Sequence, residues 1–294
     1  MSTTIERATE ATAVGQLTAP NLTITAANGV AFAYRRFGYT ESDAPPLLFL
    51  QHFRGNLDNW DPALVDRIAV AREVILLDNR GIGGSSGVVP DNVTDMARDV
   101  GAFTDALKLK SVDVLGFSLG GFVAQEVALL RPSLVRKLIL AGTGPRGGLN
   151  MHQWPLDVRA AAHADQTTAE GLLYIFFSQS DASRKSGQEF LGRIFSRSKD
   201  RDKSTTLEAR DAQILAIAEW GIPDATRLNR LAGIPQATLV ASGDNDTMIH
   251  TKNAHLLAER LPNAQVRIYS DANHAFLFQY AELFAEHVNN FLGE

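Results

Sequence analysis

The sequence predicts an α/β fold, with a mostly parallel sheet, helices on both faces and a helical segment inserted near the middle. Short apolar runs alternate with amphipathic helical stretches along most of the 294 residues, which is typical of right-handed strand–helix–strand crossovers. Between residues 145 and 230 the strand signals vanish and aromatic residues accumulate. A Gly-x-Ser-x-Gly pentapeptide at residues 116–120 joins one predicted strand to the helix after it.

The composition is that of a globular protein with a sizeable core. Hydrophobic residues make up 45% of the chain and charged residues 21%, and the formal net charge is −5. Because there is no basic run, we expect no nucleic-acid partner. Cysteine is absent, which excludes disulfides, thiolate zinc sites and a cysteine nucleophile. No apolar stretch reaches the ~18 residues that cross a bilayer, so we also expect no membrane partner.

The chain begins with a polar stretch and a hairpin. Residues 1–20 lack the apolar block of a secretory signal, so we predict a frayed polar tail and a cytoplasmic protein. Strands are expected at residues 22–26 and 30–34, joined by a tight turn at Asn28 and Gly29.

Six further apolar runs have the length of buried strands: residues 47–50, 74–77, 112–115, 138–141, 237–241 and 265–269. The clearest helix between them places Val93, Met96 and Val100 on one apolar stripe. The inserted segment, residues 145–230, shows helical periodicity instead of strands. Its aromatic side chains are more numerous than one surface layer needs: Trp154, Tyr174, Phe176, Phe177, Phe190, Phe195 and Trp220.

The pentapeptide around Ser118 has the context of a nucleophile elbow. A buried strand precedes it and a helix follows, and small residues such as Gly116 and Gly120 are needed where the backbones crowd. A second Gly-x-Ser-x-Gly copy, centred on Ser85, has neither a strand directly before it nor a helix directly after it. We therefore interpret Ser118 as the nucleophile candidate and Ser85 as a loop residue.

A serine hydroxyl needs a base and an acid partner to become a nucleophile. Of the seven histidines, His274 lies just beyond the last predicted strand, where it would face the same carboxyl edge of the sheet as Ser118. The acid should follow the strand at residues 237–241, where Asp244 and Asp246 are both candidates. Either aspartate could instead serve only its own turn, and the residues alone do not separate them.

The order Ser118, acid, His274 and the strand pattern resemble the α/β-hydrolase family over residues 22–292. Within the family the chain is most similar to capped esterases and to the cofactor-free haloperoxidase or perhydrolase type. The resemblance implies an eight-stranded sheet, a discontinuous core of residues 21–144 and 231–294, and a helical cap at residues 145–230.

The resemblance also implies roles for particular residues. The family's acid lies three residues after the glycine of a Gly-x-x-Asp turn, which selects Asp246 and leaves Asp244 as runner-up. The family's Asp-x-x-Gly-x-Gly-x-Ser segment is matched by Asp78, Gly81, Gly83 and Ser85.

The oxyanion hole would be formed by the backbone amides of Phe53 and Leu119. Here the sequence departs from the family, because Gln51-His52 stands where a His-Gly pair is usual. Two roles are open for His52: simple packing, or a change in how a substrate oxygen is held.

The expected function is hydrolysis of a small to medium hydrophobic carboxylic ester through an acyl-enzyme, with no metal and no cofactor. The partner would be the small-molecule substrate, with homo-oligomer formation left open. The same residues could serve a haloperoxidase or perhydrolase, a lactonase or a carbon–carbon bond hydrolase. A different class, a small-molecule receptor without turnover, is the non-enzymatic alternative.

Overall fold

The structure is a computed structural model that describes residues 15–41 and 43–293. The described residues contain eight strands: β1 (Leu22–Thr25), β2 (Ala31–Gly38), β3 (Leu47–Leu50), β4 (Glu73–Leu77), β5 (Val112–Phe117), β6 (Val135–Ala141), β7 (Ala237–Gly243) and β8 (Ala264–Tyr269). They also contain ten α-helices: α1 (Pro62–Ala69), α2 (Val93–Ala106), α3 (Leu119–Leu130), α4 (Leu156–His163), α5 (Ala169–Phe176), α6 (Asp181–Ile194), α7 (Leu207–Gly221), α8 (Lys252–Arg260), α9 (Phe276–Gln279) and α10 (Ala281–Gly293).

All eight strands belong to one sheet, in the order β1-β2-β4-β3-β5-β6-β7-β8. β1 and β2 form the predicted antiparallel hairpin, β2 runs antiparallel to β4, and every other neighbouring pair is parallel. Every residue of β3 and β5 is buried. Because alternate side chains point to opposite faces of a strand, both faces of the sheet are covered. The predicted fold class is confirmed.

This strand order brings the candidate residues to one edge of the sheet. β5 lies between β3 and β6, with β7 and then β8 beyond. The carboxyl ends of parallel strands face the same edge, so the residues that follow β3, β5, β7 and β8 come close together.

The segment between β6 and β7 contains α4, α5, α6 and α7 and, over residues 145–230, no strand. Three of these helices begin at a hydroxyl N-cap whose oxygen accepts from a backbone amide in the first turn: Thr168, Ser180 and Thr206. α6 packs on α1 and α9, and α7 packs on α2. The inserted helices are thereby seated on elements of the core.

Residues 15–20 are held in place, although the sequence predicted a frayed tail. The buried guanidinium of Arg197 donates to the carbonyl oxygens of Leu17 (2.8 Å) and Ala19 (3.0 Å). The tail prediction is wrong for these six residues, because their carbonyl groups satisfy donors that would otherwise be buried without partners. The remainder of the predicted tail, residues 1–14, lies outside the described residues.

No helix in the described part of the chain combines the length and the apolar character that crossing a bilayer requires.

The close approach of α3 to β3 predicts opposite results for two glycine substitutions. A Cβ atom on Gly120 would overlap the backbone carbonyl of Leu50. At Gly192 on α6, no atom of the described residues lies within 4 Å of the Cβ position, apart from the adjoining residues and the backbone of the same helix. We expect Gly120→Ala to lower the free energy of unfolding by about 2 kcal/mol or more. Gly192→Ala should raise it by up to about 1 kcal/mol. Urea unfolding measures both, and equal values for the two variants would contradict the packing described.

Candidate active site

Ser118 alone makes the turn between β5, which ends at Phe117, and α3, which begins at Leu119. Its φ of 56° and ψ of −119° place a non-glycine residue in a strained region, which costs about 1–3 kcal/mol. The turn is held on both sides. The Ser118 N–H donates to the carbonyl of Ala141 (2.9 Å), and the Thr143 hydroxyl donates to the carbonyl of Ser118 (2.8 Å).

His274 lies in the loop after β8, with its ring Nε2 2.8 Å from the Ser118 Oγ. Its backbone N–H donates to the Asn273 side chain (2.9 Å). The next amide, that of Ala275, donates to the carbonyl of Phe176 at the end of α5 (3.0 Å). The histidine loop is therefore tied to the inserted helices, and the imidazole is buried.

Asp246, in the loop after β7, is buried against the other side of the imidazole. Its Oδ2 is 2.8 Å from Nδ1 of His274, and its Oδ1 accepts from the amides of Met248 (2.9 Å) and Ile249 (2.8 Å). Because a carboxylate can only accept hydrogen bonds, the proton of the neutral imidazole is on Nδ1. Nε2 is then free to accept the hydroxyl proton of Ser118.

Asp244, the runner-up acid, is exposed and serves its own loop region. Its Oδ1 accepts from the amide of Ala272 (3.1 Å) and from the Asn245 side chain (2.8 Å). The structure brings Asp246, not Asp244, to the imidazole.

The backbone amides of Phe53 and Leu119 have no hydrogen-bond acceptor among residues 15–41 and 43–293. Leu119 is the first residue of α3, where an amide has no acceptor within the helix. Phe53 is the third residue after β3 and borders the same cavity as Ser118. Both amides therefore remain without an acceptor in the described structure, one at the residue after Ser118 and one on a residue that borders the same cavity.

The loop after β3 is fixed by contacts at both ends. The Gln51 side chain donates to the carbonyl of Asn56 (2.8 Å). Arg54 has a φ of 63°, its amide donates to the side chain of Gln213 on α7 (2.8 Å), and its guanidinium donates to the carbonyl of Ala164 beyond α4 (2.6 Å). The inserted helices thus support the loop that contains Phe53, a role for Arg54 that the sequence did not indicate.

His52 is buried in this loop. Its Nδ1 is 2.8 Å from the carbonyl oxygen of Phe53, and its ring packs edge-on against Phe117 and Phe176. Burial lowers the pKa of His52 to about 4, with a smaller contribution from the nearby His274. The ring is therefore neutral at neutral pH.

A cavity of about 340 Å³ opens onto Ser118 and His274. Its apolar lining includes Phe53, Leu172, Ile175, Phe176 and Met248, and its polar lining includes Asn56, Asn59, Arg201, Ser204 and Thr205. A wider surface groove of about 760 Å³ is lined by residues 86–92 and contains neither Ser118 nor His274.

The contribution of α5 to this cavity was not predicted from the sequence. Apolar residues occupy most positions of α5, and a helix that is apolar around its circumference is covered on more than one side. That signal indicated a buried helix but not which cavity it lines.

Ser85 is placed in a loop, away from this cavity. Its hydroxyl donates to the carbonyl of Asp78 (2.8 Å) and accepts from the amide of Ala33 (2.8 Å). Both hydrogen bonds are structural. Within the described residues, no three His, Cys, Asp or Glu side chains are arranged to hold a metal ion.

A pair of carboxyl groups, Asp78 after β4 and Asp202 from the inserted segment, joins the core to that segment. Both accept from the amide of Leu57, at 2.9 Å and 3.1 Å, which brings the two carboxyl groups close together. Burial and the Asp202 charge raise the pKa of Asp78 well above its ordinary value. Burial and the Asp58 charge raise the pKa of Asp202. Both shifts favour the protonated form of these carboxyl groups, and the sequence did not indicate the part played by Asp202.

Asp202→Asn should change the pH dependence of stability in a defined direction. Because the pKa of each carboxyl is raised in the folded protein, the folded protein binds protons at this pair more tightly than the unfolded chain does. The stability that the pair contributes in the wild type is therefore lost as the pH rises above ~4. Asparagine cannot ionise and keeps a donor toward Asp78. The unfolding free energy of the variant minus that of wild type should therefore increase from about pH 5 to about pH 8. Urea unfolding at both pH values tests this, with the exposed Asp244→Asn as control. A pH-independent difference would contradict it.

Comparisons with known proteins agree with this architecture. A family model described as the alpha/beta hydrolase fold matches residues 45–281. A solved structure, an alpha/beta hydrolase fold protein from Chitinophaga pinensis, superposes with a TM-score of 0.88 at 40% identity, covering 95% of this chain and 99% of that one.

Two relatives of named function are similar over most of their length. A poly(3-hydroxyalkanoate) depolymerase from Ectopseudomonas oleovorans is 29% identical over 84% of each chain. A non-heme chloroperoxidase from Streptomyces lividans is 27% identical over 89% of this chain and 95% of its own. The sheet topology, the family match and these relatives lead to one conclusion. The chain belongs to the α/β-hydrolase family and is a hydrolase.

Proposed function

We propose that the protein is a serine hydrolase that cleaves carboxylic esters of small to medium hydrophobic substrates through an acyl-enzyme. The observation that carries the proposal is the hydrogen-bonded line from the Ser118 hydroxyl through His274 to Asp246, with 2.8 Å at each step. A hydroxyl held at this distance from a neutral imidazole can transfer its proton as it attacks.

In the first half-reaction Ser118 Oγ bonds to the carbonyl carbon of the ester while its proton passes to Nε2 of His274. The carbonyl oxygen becomes an oxyanion that accepts from the amides of Phe53 and Leu119, each commonly worth about 3 kcal/mol. Asp246 stabilises the imidazolium. His274 then donates the proton to the leaving alkoxide oxygen, the carbon–oxygen bond breaks, and the alcohol departs.

In the second half-reaction water replaces the alcohol. His274 takes a proton from the water as its oxygen bonds to the acyl carbon, and a second oxyanion forms in the same place. Collapse of this intermediate returns the proton to Ser118 Oγ and releases the carboxylic acid. The side chains end as they began.

The proposed substrate size rests on the cavity. A volume of about 340 Å³ is near the lower end of the range for small-molecule pockets. Its apolar residues come largely from α5, so we propose that the inserted helices, residues 145–230, act as a cap that shapes the acyl site. The polar lining residues of the cavity offer hydrogen-bond partners to the rest of the substrate.

A chromogenic ester series tests this function. With p-nitrophenyl esters of graded acyl length we expect a burst of one equivalent followed by continued turnover, fastest for short to medium chains. One equivalent of product without turnover would favour a receptor. The depolymerase relative supports the ester assignment, because its named substrate is a polyester.

The chloroperoxidase relative supports a second candidate, perhydrolysis by the same three side chains. The ester series is therefore repeated with peroxide and halide, and lactones are added to it. Halogenation faster than ester hydrolysis would favour the perhydrolase. Lactone opening faster than cleavage of open-chain esters would favour a lactonase.

A further inference from the structure

We propose that His52 is a positioning residue that orients the backbone amide of Phe53 toward the oxyanion. The inference rests on the proposed function, because it concerns one of the two donors of that mechanism. The motivating observation is a buried histidine at a position where the α/β-hydrolase family usually has glycine. Its ring packs on Phe117, the residue before the serine, and the hydrogen bond of that ring is directed at the neighbouring residue.

The hydrogen bond defines the tautomer. The Phe53 carbonyl oxygen can only accept, so Nδ1 of His52 carries the proton. Nε2 is then an unprotonated nitrogen, and it is buried with no partner among the described residues. Among the described residues, the imidazole of His52 therefore makes its hydrogen bond through Nδ1, to the Phe53 carbonyl oxygen.

This bond closes a ring of atoms around the proposed donor. From Nδ1 the path runs through the His52 side chain and backbone, across the 52–53 peptide that carries the Phe53 N–H, and on to the Phe53 carbonyl oxygen. The backbone torsions on both sides of that peptide lie within the closed path. Holding the carbonyl therefore restricts the direction of the N–H. Glycine at position 52 could not provide this bond.

Packing holds the imidazole in place. The ring lies edge-on to Phe117, at 5.3 Å between centroids, and to Phe176, at 5.2 Å. Phe117 is the last residue of β5 and immediately precedes Ser118. His52 therefore packs against the same strand end that carries the nucleophile. The 52–53 peptide has one further support, because the Gly55 amide donates to the His52 carbonyl oxygen (3.0 Å). The Gln51 side chain acts outside this peptide: it donates to the Asn56 carbonyl and accepts from the His52 amide.

The neutral state of His52 also suits the reaction. Burial keeps the ring uncharged at neutral pH, so it places no positive charge beside His274 when that imidazole becomes protonated in the transition state.

Two variants separate the hydrogen bond from the packing. His52→Phe keeps a planar ring between the two phenylalanines and removes the donor. His52→Asn removes the ring but keeps an N–H donor, because the asparagine amide nitrogen is one carbon from Cβ, as is Nδ1. We expect kcat on a p-nitrophenyl ester to fall about 10- to 100-fold in His52→Phe, with KM within about twofold of wild type. His52→Asn should recover part of the loss.

Affinity for an alkyl boronic acid, which forms a tetrahedral adduct with the serine hydroxyl, should fall in parallel with kcat. Affinity for the corresponding planar carboxamide should not change. His287→Phe is the matched control, because it removes a histidine that is hydrogen-bonded to Tyr269 (2.6 Å) and does not border the cavity. It should lower the melting temperature and leave kcat unchanged.

The proposal is overturned if folded His52→Phe keeps wild-type kcat, or if KM rises while kcat and boronic acid affinity stay constant. Should His52→Phe fail to fold, the test rests on His52→Asn. The proposal is also overturned if His52→Asn loses as much kcat and boronic acid affinity as we expect for His52→Phe. A wild-type rate no greater than that of Ser118→Ala would instead show that the proposed function itself is wrong, and the role of His52 would fall with it.

Discussion

Ser118→Ala is expected to lower kcat for a p-nitrophenyl ester by about 10⁴-fold or more, because the attacking oxygen is removed and the remaining groups act as a unit. The residual rate would come from the oxyanion donors and substrate binding. Alanine fits the space of the serine side chain, so the protein should fold. The strained φ of 56° is retained, since alanine shares the same backbone preference. Steady-state kinetics with a matched melting curve measures the effect.

The control is Ser85→Ala, which removes the serine of the second Gly-x-Ser-x-Gly copy. Ser85 lies outside the cavity and its hydroxyl contacts only Asp78 and Ala33 in the described structure. This variant should lose some stability and keep kcat within about twofold of wild type. If Ser118→Ala keeps near-native turnover, the elbow assignment is wrong.

Asp246→Asn should lower kcat by about 10³- to 10⁴-fold, the second largest effect we expect. The amides of Met248 and Ile249 donate to Oδ1, so the carbonyl oxygen of asparagine will occupy that position. Its NH₂ group will then face Nδ1 of His274, and two donors cannot form a hydrogen bond. The imidazole must place its proton on Nε2, where it can no longer accept from Ser118.

Asp244→Asn is the matched control, two residues away in the same loop. Because Asp244 is exposed and its side chain, within the described residues, bonds to Ala272 and Asn245, its replacement should leave kcat within about twofold of wild type. Equal losses in the two variants, or a larger loss in Asp244→Asn, would contradict the placement of the acid.

The elbow could be predicted from sequence because its strand, its turn and its helix are contiguous. A buried strand, one strained residue and a helix follow one another from Val112 to Leu130, and the glycine requirement at Gly120 is set by the neighbouring strand β3. His274 was predictable for a related reason: it lies in the short loop after β8, a strand whose carboxyl end must face the same edge.

The choice between Asp244 and Asp246 depended on family resemblance, since both lie within three residues of the end of β7. What distinguishes them is the capture of one carboxylate by the amides of Met248 and Ile249. The residue types in this turn do not show which of the two carboxylates accepts hydrogen bonds from these amides.

The contacts of His52 and Asp202 lay beyond sequence reasoning for a different reason. His52 packs on Phe176, more than a hundred positions later, and Asp202 meets Asp78 across the boundary between the core and the inserted helices. Residues 15–20 likewise owe their order to Arg197 in the inserted segment. Such long-range partners follow from how the inserted helices dock, which local periodicity does not determine.

Identifying where the acyl group is attached tests the serine mechanism most directly. The protein is mixed with a short-chain p-nitrophenyl ester, quenched in acid during the burst, digested, and analysed by peptide mass spectrometry. We predict one acyl group per chain, on the peptide containing Ser118, absent from Ser118→Ala and present in Ser85→Ala. An acyl group on another residue, or continued ester hydrolysis with no modified peptide at any quench time, would contradict an acyl-enzyme at Ser118.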